Sequence, residues 1–284
     1  MLRKTLKYDL NAVYKIWLIL TVTVLAVSFV GGLSLRDLIV SNGEEHFDVF
    51  SILSTFGIIV TVFSIAAYIL IVELVVLYRY YQNFFTDEAY LTFTLPVKRR
   101  TLFNSKLINA FIWSVANIAV VTVAILIIMA FAPLEEDGTG SLLLFIFDGL
   151  FKIIGQIFEL FDAWAYLYTL EALLIALFST VFSALLIYAC ITLGCTMVKK
   201  YKLLMAILVY YMVNMAISIM SYIGSIVMSI VTAMSIEILA TYTEGQIKAI
   251  VFFTLMAIAA FYLVLCVVAY KFSLSRIEKN LNLA

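Results

Sequence analysis

Two acidic residues, Glu73 and Glu171, lie inside long apolar stretches of the sequence. A charged side chain is costly there and is a candidate for function by default. Asn109 and Asn117 are eight residues apart in another stretch, so both occupy one helical face with Trp113 between them. Such amides most often bond neighbouring helices, and contact with a translocated molecule is the functional alternative. We take the two acids and the two amides as candidates for a translocation path.

The sequence lacks the residue patterns of common catalytic and nucleotide-binding sites. Its single histidine, His46, and its three cysteines, Cys190, Cys195 and Cys266, show no metal-ligand spacing. Neither the G-x-S-x-G and H-E-x-x-H motifs nor the G-x-x-x-x-G-K-[ST] loop occurs. We therefore expect a protein that is not an enzyme and that holds no metal ion and no cofactor.

The composition is too apolar for a soluble protein of this length. Of the 284 residues, 65% are apolar and 13% are charged, against about a quarter charged in globular domains. Crossing a bilayer as a helix takes roughly 20 apolar residues. Six stretches are long enough: Ile16–Leu35, Ile52–Leu77, Leu107–Ala132, Tyr166–Val198, Leu203–Thr232 and Ala249–Tyr270. The sequence predicts an all-α integral membrane protein, with six transmembrane helices in one domain over 1–284.

The basic residues predict how these helices are oriented. Cytoplasmic loops carry an excess of Lys and Arg, and most of the 18 basic residues fall on one side of the six-span layout, within 1–15, 78–106, 199–202 and 271–279. We predict a multi-pass protein of the plasma membrane with both termini in the cytoplasm. The net charge of zero argues against a nucleic-acid partner, and membrane lipids are the expected surroundings.

The segment 141–162, inside the predicted outer loop 133–165, is apolar enough to suggest a seventh span. Asp148, Lys152 and Glu159 would then each cost roughly 2.5–3.5 kcal/mol in hydrocarbon. These three residues and Gln156 recur at helical spacing, which leaves a wide apolar face on the helix. The segment is therefore predicted to be an amphipathic helix at the outer membrane surface.

The largest predicted cytoplasmic loop, 78–106, contains a short helix. Thr86 is placed to cap it, Asp87 and Glu88 to occupy its first turn, and Pro96 to end it. An aromatic helix displayed in the cytosol should dock into a partner. The alternative is that its aromatic side chains pack against the membrane surface and the inner ends of the spans. The basic residues of the loop are predicted to lie at the anionic inner leaflet: Lys98, Arg99, Arg100 and Lys106.

The run Asp87-Glu88, Leu91, Leu95-Pro96-Val97-Lys98-Arg99, Leu102 and Lys106-Leu107 resembles the loop of ABC-2 type transporter permeases. The six-span layout is also similar to that family, as is a basic amphipathic helix over 1–15. The resemblance implies a cytoplasmic coupling helix at about Thr86–Leu95 that binds a separate ATP-binding subunit. The residues implied in that contact are Phe84, Phe85, Thr86, Asp87, Glu88, Tyr90, Leu91, Phe93, Leu95 and Pro96.

We therefore expect the permease subunit of an ATP-driven exporter, paired with a second permease subunit and moving a hydrophobic or amphipathic cargo, such as an antimicrobial peptide, out of the cell. One alternative is a secondary transporter driven by an ion gradient. Such proteins usually have internal repeats and broken helices, whereas Pro96 and Pro133 lie at span ends. The other alternative is a membrane immunity or scaffold protein with no transport cycle.

Overall fold

A computed structural model describes residues 2–41, 49–94, 96–134, 140–198, 200–239 and 243–279. Within these ranges the chain forms helices and no strands: α1 (Leu2–Ser41), α2 (Val49–Phe85), α3 (Glu88–Thr94), α4 (Arg99–Phe131), α5 (Leu142–Phe161), α6 (Trp164–Met197), α7 (Lys202–Leu239) and α8 (Glu244–Lys279). His46 lies outside the described residues. The predicted all-α class is confirmed.

Six of these helices, α1, α2, α4, α6, α7 and α8, are long and apolar enough to cross a membrane. Each contains one predicted span, except that α4 ends one residue before Ala132 and Val198 is already extended. At 1.5 Å per residue, the 37 residues of α2 measure about 55 Å, against a hydrocarbon core of about 30 Å. The helix is therefore several turns longer than a crossing requires.

The two segments predicted to be amphipathic helices are both helical. Residues 2–15 continue without a break into the first span, so that α1 is one helix of 40 residues. α5 has no buried residue, and its Lys152 Nζ lies 2.9 Å from Asp148 Oδ2, four residues earlier. α5 is not among the helices that could cross a membrane, which agrees with the predicted count of six.

The chain divides into two compact units, and the first comprises Met1–Tyr78 and Ile108–Leu160. The Tyr68 hydroxyl group of α2 donates to Asn117 Oδ1 of α4 at 3.1 Å and lies 3.3 Å from the Thr21 hydroxyl of α1. One buried tyrosine therefore links three helices. Around it the apolar core of this unit is formed by Val24, Val72 and Val120.

The second unit comprises Arg79–Leu107 and Phe161–Ala284, in which α6 packs against both α7 and α8. Gly194 allows α6 and α7 to approach closely, since a Cβ atom there would clash with the Ala206 backbone. At the other end of α6, Lys248 Nζ of α8 lies 3.3 Å from Asp162 Oδ2. Asp162, which lies between α5 and α6 in the chain, adopts a left-handed conformation (φ 48°).

Candidate partner-binding site on the loop between α2 and α4

The loop between α2 and α4 folds as the short helix α3, close to its predicted position. The predicted capping role of Thr86 is wrong, because its hydroxyl donates back to the Gln82 carbonyl and closes α2. At the start of α3, the backbone makes the first hydrogen bond instead: the Ala89 amide donates to the Thr86 carbonyl at 2.9 Å. After α3 the chain passes the exposed Pro96 and enters α4 at once. Leu95 lies outside the described residues.

A cluster of aromatic side chains lies where α2, α4, α6 and α8 meet, next to α3. Tyr80 is fully buried and stacks on Tyr188 of α6, with ring centroids 4.0 Å apart. Its other ring neighbours are Phe84 at 5.1 Å, Phe85 at 6.0 Å and Phe103 of α4 at 6.3 Å. Phe103 in turn contacts Tyr270 of α8 at 5.5 Å. We call Tyr80, Phe84, Phe85, Phe103, Tyr188 and Tyr270 the aromatic cluster.

Hydrogen bonds connect this cluster across the helices. The Thr192 hydroxyl of α6 donates to the Tyr188 carbonyl at 2.7 Å, so its proton is already used. The Tyr80 hydroxyl, 2.7 Å from the same Thr192 oxygen, is therefore the donor of that bond. The Tyr188 hydroxyl donates to the Lys106 carbonyl of α4 at 3.2 Å. These bonds satisfy the polar atoms that the cluster buries and hold the ends of three helices together.

Phe93 and Arg99 attach α3 to this arrangement. Phe93 lies edge-on to Phe84 of the cluster at 5.5 Å. The Arg99 guanidinium lies over the Phe93 ring at 5.2 Å and donates to the Ile277 and Glu278 carbonyls, each at 3.1 Å. A cation at the carboxyl end of a helix is favoured by the helix dipole. A force on α3 can therefore reach both α2 and α8 through direct contacts.

Some of the residues predicted to bind a partner are buried and others are exposed. Phe84 and Phe85 are buried in the aromatic cluster, which is the alternative that the sequence left open for them. On the face of α3 that is turned away from the aromatic cluster, Tyr90 and Leu91 are 67% and 68% exposed. Two acids, Asp87 and Glu88, are exposed beside them. The available surface is therefore small, apolar at its centre and acidic at one edge.

The four basic residues of the loop also differ in their exposure. Lys98, Arg99 and Arg100 are exposed, and Arg100 Nε donates to the Tyr270 hydroxyl at 3.2 Å. Lys106 is buried, with 6% of its surface exposed. Protein therefore covers the Lys106 side chain, and its anchoring role at the inner leaflet stays a prediction that this burial does not support. The other three retain the exposure that such a role needs.

The four candidates for a translocation path are not brought together within one unit. Asn117 of the first unit bonds Tyr68 across two helices, as expected for an ordinary interhelical amide. Asn109 Oδ1 accepts from Trp113 Nε1 at 3.1 Å within α4. Glu73 is exposed on α2, and Glu171 of the second unit is buried in α6.

Sequence reasoning missed Tyr80, Tyr188, Thr192 and Tyr270, which organise the site. Part of the signal is present, since Tyr80 and Phe84, like Tyr188 and Thr192, are four residues apart and share a helical face. In a chain with 17 Tyr and 22 Phe, that spacing does not distinguish these residues from other aromatics. Their role depends on which helix ends meet.

The six long apolar helices are consistent with a multi-pass membrane protein, and the loop between α2 and α4 forms a short helix whose only buried residue is Ala89. Searches against protein-family models, curated proteins and solved structures find no match. Within the described ranges, no group of three or more His, Cys, Asp or Glu side chains could hold a metal ion.

Proposed function

We propose that this protein is the permease subunit of an ATP-driven exporter of the ABC-2 type, and that α3 is its coupling helix. The proposal rests on two properties of α3, its exposed side chains and its contacts with neighbouring helices. It presents Tyr90 and Leu91 outward, while Phe93 and Arg99 tie it to the ends of α2 and α8. A coupling helix needs both an exposed contact surface and a mechanical link to the spans.

The distribution of charge supports placing α3 in the cytoplasm. In the second unit, Arg99 contacts the carboxyl end of α8, and the chain that leaves α6 enters α7 at Lys202. The Cys195 thiol near the end of α6 lies 4.0 Å from the Lys202 carbonyl. The basic segments at the ends of these helices therefore lie at the same end of the unit as α3. Under the positive-inside rule we infer that this end of the unit is cytoplasmic, and the basic residues of the sequence are the support for placing both termini on the same side.

The proposed partner is a separate ATP-binding subunit with a groove that accepts an apolar side chain and carries basic residues at its rim. Such a groove would complement Tyr90 and Leu91 at the centre and Asp87 and Glu88 at the edge. Closure of the subunit around ATP would push α3 and move α2 and α8. A second permease, the same or different, would complete the transporter.

The cargo is proposed to be hydrophobic or amphipathic and to leave the cell. The chain offers large apolar surfaces on its spans, and residues 215–227 of α7 are exposed on every side of that helix. α5 would lie in the outer membrane interface, with Asp148 and Lys152 toward water. Peptides with antimicrobial activity fit this description.

The experiment compares two leucines of equal exposure. Leu91 on α3 and Leu160 on α5 are both 68% exposed. In the native host, the tagged chain should copurify with an ATP-binding protein that carries a P-loop. Leu91→Glu should weaken that association at least about 30-fold, the loss expected for a residue central to an interface. Leu160→Glu should leave it unchanged.

Two results would contradict the proposal. One is purification of the folded wild-type chain from its host membrane, under conditions that preserve membrane complexes, with no ATP-binding protein attached. The other is equal retention of such a protein by Leu91→Glu and by the wild type, because α3 would then not be its binding site. Transport by the lone chain in liposomes without ATP would favour the ion-gradient alternative.

A further inference from the structure

Glu171 of α6 is a buried acid with no partner in the described part of the chain. Its side chain is 6% exposed, and neither carboxyl oxygen has a hydrogen-bond partner among the described residues. It lies seven residues after Trp164, about 10 Å along the helix. Buried polar atoms in proteins are nearly always bonded, so this arrangement calls for an explanation.

Two polar groups close to Glu171 along α6 and α8 make hydrogen bonds to other acceptors. Tyr168 lies three residues earlier on the same helical face, and its hydroxyl donates to the Lys248 carbonyl of α8 at 2.8 Å. The Lys248 ammonium group donates to Asp162 Oδ2 at 3.3 Å, where α6 begins. The phenol proton and the ammonium group at this end of α6 and α8 therefore serve other acceptors.

An ionised carboxylate in this position would be costly. Burying a charge without an ion pair or hydrogen bonds costs several kcal/mol even after relaxation. A metal ion needs several ligands, and the described residues offer no cluster of three that would supply them. A proton is the one ligand that a single carboxylate binds by itself and that removes the charge.

We propose that Glu171 is a proton-binding site, which holds a proton while α6 and α8 are packed together and releases it to water when they separate. Both carboxyl oxygens are buried, α6 packs against α8, and the Tyr168 hydroxyl, one turn before Glu171, joins these two helices. Separation of the helices breaks that bond and hydrates the carboxyl group, so that its proton can leave. The inference goes beyond the proposed function and does not depend on it.

The direct test is infrared spectroscopy of the purified chain in lipid nanodiscs at pH 7. A protonated carboxyl group has a carbonyl stretch that a carboxylate lacks. The wild-type spectrum should contain this band and Glu171→Gln should lose it. Glu73→Gln, which changes an exposed acid of another span, should retain it. Identical bands in the wild type and Glu171→Gln would overturn the proposal, as would loss of the band in Glu73→Gln alone.

A second measurement needs no variant and remains available if Glu171→Gln fails to fold. An apolar carbodiimide adds to a protonated carboxyl group, which supplies the proton that the reagent takes up, and the product keeps the whole mass of the reagent. Wild-type protein treated in membranes at pH 7, digested and analysed by mass spectrometry should carry the label on Glu171. Labelling of Glu73 with none on Glu171 would overturn the proposal.

Discussion

The hydrogen bond between Tyr80 and Thr192 gives a quantitative prediction about the aromatic cluster. Tyr80 is completely buried and donates at 2.7 Å to a threonine oxygen whose own proton goes to the Tyr188 carbonyl. Tyr80→Phe removes the donor and leaves an acceptor unused, at a cost of about 1 kcal/mol. Thr192→Val removes the acceptor and leaves a buried hydroxyl without a partner, at a cost of about 2 kcal/mol.

The two substitutions should not be additive. In the double variant Tyr80→Phe/Thr192→Val neither polar group is left alone, so the total loss should fall about 1 kcal/mol below the sum of the single losses. Thr180→Val is the control in the same helix, because the Thr180 hydroxyl donates only within α6, to the Ala176 carbonyl at 2.8 Å. It should change stability by less than about 0.5 kcal/mol.

The assay is reversible unfolding of the purified chain in a mixed micelle, with the midpoint temperature as a second readout. A loss of 1 kcal/mol should lower Tm by about 2–4 °C in a chain of this size. The reasoning would be refuted if Thr192→Val cost no more than Thr180→Val. It would also be refuted if the losses from Tyr80→Phe and Thr192→Val simply added in the double variant.

Three further predictions concern the packing of the helices and can be checked by the same unfolding measurement. Tyr68→Phe should lose the hydrogen bond to Asn117 Oδ1. The free energy of unfolding should fall by about 0.6 kcal/mol, a typical value for an interhelical bond in a membrane. No loss would mean that the bond contributes nothing. Gly194→Ala should cost about 1–3 kcal/mol, because its Cβ atom would clash with the Ala206 backbone. Gly224→Ala is the matched control, because nothing lies within 4 Å of the added Cβ atom. This change should stabilise the helix by up to about 1 kcal/mol. Equal effects at the two glycines would refute the close approach of α6 and α7.

Much of the fold follows from the sequence because lipid imposes a simple rule. Backbone groups in hydrocarbon must be bonded within the segment, so each long apolar run becomes a helix. The spans Ile16–Leu35 and Ile52–Leu77 were found this way, and both lie inside helices of the structure. The charged positions of 141–162 likewise distinguished α5 from a span.

The short helix between α2 and α4 was also found, although its cap was assigned to the wrong group. Thr86 has the side chain of a capping residue, but a threonine can also donate to the carbonyl four residues earlier. In the structure the Gln82 carbonyl at the end of α2 receives that bond. Local sequence does not decide between the two uses, because both are available to the same side chain.

The sequence by itself determined the number of apolar helices, the basic loops and the presence of α3, since these depend on composition and local periodicity. Only the tertiary structure decided that Phe84 is buried while Leu91 is exposed, that Lys106 is covered, and that Glu171 has no partner in the described chain. In a sequence where most residues are apolar, hydropathy does not tell the lipid-facing side of a helix from its protein-facing side. That distinction depends on which helices meet, and the meeting of α2, α4, α6 and α8 is what gives Tyr80 and Thr192 their roles.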